Sequence, residues 1–104
     1  MRRIVEKVAD LLTYSGPSMA DLIKKALEEG NDFKVEQTGE LKILKVKFQL
    51  PYGIEATDKY FYNSESHLIK QTLCVRNKEK IIFDKYNEAA KLLSKLDQQS
   101  ILVS

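Results

Sequence analysis

The sequence predicts an α+β fold: two N-terminal helices, an antiparallel β-meander of four to five strands, and a C-terminal helix packed on the sheet. Three observations predict it. Apolar residues recur at helical spacing before Gly30 and again after Asp84. Between Leu41 and Phe83 they recur at every second position. Short turn-forming stretches, PYG, NSES and RNKE, cut that alternation into strands.

Ile4, Val5, Val8, Leu11 and Leu12 form one stripe against Arg3, Glu6, Lys7 and Asp10, which predicts a first helix ending near Tyr14. Ser15-Gly16-Pro17 breaks it. Ser18 followed by Asp21 resembles a capping box with a shorter acid. Met19, Leu22, Ile23, Ala26 and Leu27 then give the second stripe, and Gly30 is placed to end that helix in a left-handed residue. Phe33 and Val35 alternate in the stretch 32–37, and Thr38-Gly39 turns it into the meander. Asp84 reads as the N-cap of a third helix with Tyr86, Ala89, Ala90, Leu93 and Leu96 on its buried side. The closing QQSILVS reads as a docked tail, an added strand or a segment exchanged between subunits. Two helices followed by strands also suggest a winged helix, but that fold needs a third helix where 32–37 alternates like a strand.

At 104 residues the chain is expected to form a single domain. Hydrophobic content of 43% and charged content of 31% are those of an ordinary soluble protein. The 17 basic and 15 acidic residues are well mixed, so the net charge of +2 gives no general attraction to nucleic acid or membrane. One cysteine, Cys74, cannot close an internal disulfide, which fits a reducing cytosol or nucleoid. No apolar run approaches the roughly 20 residues of a membrane span.

Register gives the candidate sites. If PYG closes the first hairpin, Leu50 faces Ile54, Phe48 faces Ala56, Val46 faces Asp58 and Leu44 faces Tyr60. If Asn63 to Ser66 closes the second, Tyr62 faces His67, Tyr60 faces Ile69, Asp58 faces Gln71 and Ala56 faces Leu73. Asp58, Tyr60, Tyr62, His67 and Gln71 then gather on one face as a candidate ligand pocket between sheet and helix. In it His67 would move protons, and the others would orient a ligand. The ordinary alternative is a solvated sheet edge, or a bulge that turns Asp58 outward.

On the opposite face Lys45, Lys59 and Lys70 would share a row, with Lys47 in the next. Lysines with Phe61 and Tyr52 nearby suit a nucleic-acid backbone, although exposed lysines also serve solubility and discourage edge pairing. Phe61, paired with Leu68, would join Ile81 and Phe83 in an apolar patch suited to self-association.

No nucleophile–base pair stands in the chain, and His67 with Asp58 lacks a third metal ligand at a recognisable spacing. The expectation is therefore a non-catalytic, cytoplasmic protein-interaction or regulatory module, a homodimer without cofactor or metal. Nucleic-acid binding through the lysines is the first alternative. A small-molecule or enzyme site at Asp58, Tyr60, His67 and Gln71 is the second.

Overall fold

A computed structural model describes the backbone of residues 2–103 and the side chains of residues 3–95. The order is α1 (Arg2–Thr13), α2 (Met19–Glu29), β1 (Asp32–Thr38), β2 (Leu41–Leu50), β3 (Ile54–Tyr62), β4 (Leu68–Val75), β5 (Lys78–Asp84) and α3 (Lys85–Val103). The strands form one antiparallel sheet in the order β1-β2-β3-β4-β5, so the α+β class and the meander stand as expected. The stretch after Gly30 is a strand, which excludes the winged helix. No helix among the described residues is long and apolar enough to cross a membrane. The chain divides into two compact units, one containing α1 and α3, the other spanning Ser15–Phe83.

In the first unit α1 and α3 lie against each other, with Val8 and Ala89 buried. Asp84 caps α3, its carboxylate accepting from the Asn87 backbone N–H at 3.1 Å. The inward row of α3 differs from the expected one. Lys85, Ala89 and Leu92 turn inward, whereas Tyr86, Ala90 and Leu93 are exposed. Lys85 is the cause. Its apolar stem is buried, and its Nζ donates to the Tyr14 carbonyl at 3.0 Å, which sets the rotation of the helix. The closing residues are helical to Val103, which excludes the added strand. What the Leu96 and Ile101–Val103 side chains touch lies outside the described residues.

In the second unit Ser18 caps α2 by accepting from the Asp21 N–H at 3.1 Å. Gly30 ends the helix at φ 72°, and its N–H bonds to the Ala26 and Leu27 carbonyls. Ala26 packs on Leu44 and Val46, with Met19, Leu22, Ile23 and Tyr60 around them. Leu27, expected inside, is exposed because it flanks rather than faces the sheet. The first hairpin keeps the counted register, Leu44 opposite Tyr60 and Val46 opposite Asp58. The second does not. Asp58 lies opposite Leu73, Tyr60 opposite Gln71, and Tyr62 opposite Leu68, with a bulge at Phe61/Tyr62.

The cause is the loop from Asn63 to His67, one residue longer than counted. The Asn63 side chain accepts from the Glu65 and His67 backbone N–H groups, each at 3.0 Å, and Ser66 adopts φ 63°. The bulge adds a second residue to the slip, and a slip of two keeps the faces, so Asp58 stays on the face that α2 covers.

Candidate functional site

The turn of α2 that brings Leu22, Lys25, Ala26 and Glu29 to one side follows from their i, i+3, i+4, i+7 spacing. Opposite them Val46 and Phe48 on β2, and Asp58 and Tyr60 on β3, share the covered face of the sheet. Between these two layers lies a half-open cavity of about 220 Å³, which Asn31 completes.

Asp58 is the polar centre of that cavity. Its carboxylate accepts from the Tyr60 hydroxyl at 3.3 Å and from the Gln71 side chain. Burial holds the Asp58 carboxyl above its ordinary range, against the pull of those bonds and of the Lys25 charge. Burial and the neighbouring Asp58 charge push the Tyr60 hydroxyl up to about 12. At the mouth Lys25 Nζ stands 3.9 Å from a Glu29 oxygen, and the Asn31 amide donates to Glu29 at 3.3 Å.

Three of the five ligand residues expected from the sequence thus come together, Asp58 and Tyr60 in the cavity and Gln71 against Asp58. Gln71, expected directly opposite Asp58, reaches it along the diagonal, two positions from Leu73, which takes that place. Tyr62 and His67 do not line the cavity. Tyr62 is buried, and its hydroxyl donates to the Pro17 carbonyl at 2.8 Å. His67 belongs to the second hairpin loop, where the Asn63 side chain holds its backbone. Sequence reasoning missed Lys25, Glu29 and Asn31. Their signal was present, since Lys25 and Glu29 flank the apolar stripe of α2 at i, i+4.

The reverse face of the sheet carries the lysines. Lys34, Lys45 and Lys59 share one row with Thr72, whereas Lys70 lies opposite Phe61. Glu36 takes Lys45 at 3.0 Å and Lys34 at 3.5 Å, Glu79 takes Lys59 at 3.3 Å, and Glu55 stands 3.9 Å from Lys47. The Lys45 hydrogen bond holds Glu36 below its ordinary pKa; a short bond from Thr72, 2.7 Å long, and one from Lys59 do so for Glu79. Lys70 sits over the Phe61 ring, 5.6 Å from its centroid. Alternating charge, rather than a cationic track, covers this face. Tyr52 stands at the hairpin tip, remote from a stacking role beside Phe61.

The expected apolar patch breaks at Leu68. The bulge turns that side chain to the helix-covered face, where it is 3% exposed, while Phe61 and Phe83 are half-buried and Ile81 is exposed. Exposed apolar side chains occur instead on the first unit, at Val5 (53%) and Leu12 (45%) of α1, and at Tyr86 (54%) and Leu93 (47%) of α3. Each pair is seven residues apart, two turns along one flank of its helix. Comparison with protein-family models, curated proteins and solved structures finds no significant match.

Proposed function

We propose that this chain is a non-catalytic protein-interaction or regulatory module that works as a homodimer, joined through the outer flanks of α1 and α3. The two exposed rows, Val5–Leu12 and Tyr86–Leu93, carry this reading. In each helix one edge of the apolar stripe is buried, at Val8 and Ala89, and the other is left in water. Within this unit, among the described residues, no further layer buries that second edge. A second copy of the same pair supplies one, giving the four-helix arrangement in which such stripes close on each other. A two-fold interface needs only one self-complementary patch, which is why homodimers are the commonest assemblies. The reading includes a cytoplasmic location, where the lone thiol of Cys74 stays reduced.

Isotope-filtered NMR on a mixture of labelled and unlabelled chains tests the interface. Intermolecular contacts are expected from the Val5, Leu12 and Leu93 methyl groups. Contacts confined to Ile81 would move the interface to β5, and none from any methyl group would remove the dimer.

A further inference from the structure

We propose that the cavity between α2 and the sheet is a binding site for a small organic cation, a primary ammonium on a short apolar chain. Size admits it: the cavity measures about 220 Å³, and a dry protein cavity of roughly 150 Å³ holds benzene. Charge selects it. The lining holds two carboxylates, Asp58 and Glu29, against one ammonium, Lys25.

Asp58 is the anion with no cation in direct contact; Lys25 acts on it only through its charge, from a distance. Its hydrogen-bond donors, the Tyr60 hydroxyl and the Gln71 amide, are both neutral. Among the described residues no cation stands within ion-pair distance of it, and Lys25 is paired with Glu29 instead. A half-buried carboxylate in that position gains most from a charged donor brought by a ligand. Leu22, Val46 and Phe48 then offer the carbon chain an apolar wall. Among the described residues no three metal-ligating side chains converge, and a bare ion would leave that wall without a partner.

Titration of the full chain with isoamylamine, isoamyl alcohol and isovalerate, followed by amide correlation spectra, tests the proposal. The amine is expected to give saturable shifts at Ala26, Asn31, Val46 and Tyr60, and the alcohol and the acid none that saturate. Asp58→Asn, which keeps the side-chain shape, should weaken amine binding at least about tenfold. Glu29→Gln, on an exposed helix position, should weaken it less and leave the fold intact. An equal response to amine and alcohol, or no saturable shift with the amine, overturns the proposal. So does unchanged amine affinity in both variants, or in Glu29→Gln alone if Asp58→Asn does not fold.

Discussion

The Asp58 carboxyl, half-buried beneath α2, holds its proton more tightly in the folded chain than in the unfolded one, because burial penalises the charged form. Its contribution to stability is therefore full below the unfolded pKa and is lost as pH rises through the raised folded value. Glu36 and Glu79 act in the opposite sense: their contributions are present at neutral pH and are lost as pH falls through their lowered values. Asp58→Asn should thus gain stability relative to the parent chain as pH rises from acid to neutral, and the gain should then level off. Urea unfolding of both proteins across that range checks this, and a pH-independent difference would refute it. Tyr62 behaves differently from its neighbour two residues away. It is 1% exposed, and its hydroxyl secures the Pro17 carbonyl ahead of α2. Tyr62→Phe should cost about 1 kcal/mol in urea unfolding, since a part-buried hydrogen bond is lost. The alternation of β3 showed that Asp58, Tyr60 and Tyr62 share a face. It did not show that one of the tyrosines is consumed by a structural bond, because that bond spans 45 residues of sequence.

The elements themselves were legible wherever a local signal decides them. Ser18 and Asp84 cap their helices as their side chains dictate, Gly30 ends α2, and PYG fixes the first hairpin pair by pair. The second hairpin slipped by two residues because its loop is set by the Asn63 side chain and a bulge, neither of which alternation records. The slip preserves faces, so the Asp58 site survived it, while the bulge turned Leu68 inward and dissolved the patch drawn through it. The rotation of α3 was also hidden, since a buried lysine runs against the usual expectation for that residue. At the β4–β5 turn Arg76 and Asn77 both take positive φ, 51° and 65°. Two such residues form a type I′ turn, for which Asn-Gly is strongly favoured. Replacing Arg76 by Asn and Asn77 by Gly together should stabilise the chain by about 1 kcal/mol in urea unfolding, by relieving left-handed strain at two positions. A loss of stability would mean that the turn is held by contacts of the Arg76 side chain.

On the scale of the molecule, the balance of apolar side chains is the decisive quantity. Among the described residues eight hydrophobic side chains are buried and eleven large ones are exposed, four of those eleven in the two heptad rows of α1 and α3. Single exposed apolar residues are ordinary, whereas rows along paired helices are the feature on which the proposed dimer rests. The reverse face of the sheet has the contrary character, with its lysines matched to Glu36, Glu55 and Glu79. Self-association is therefore the central claim, and sedimentation equilibrium over a wide concentration series tests it most directly. The parent chain should move from monomer to dimer mass as concentration rises. Leu12→Glu with Leu93→Glu should remain monomeric, and Ile81→Lys should dimerise like the parent. A parent chain of monomer mass at every concentration, or a dimer untouched by the two glutamates, would contradict the account.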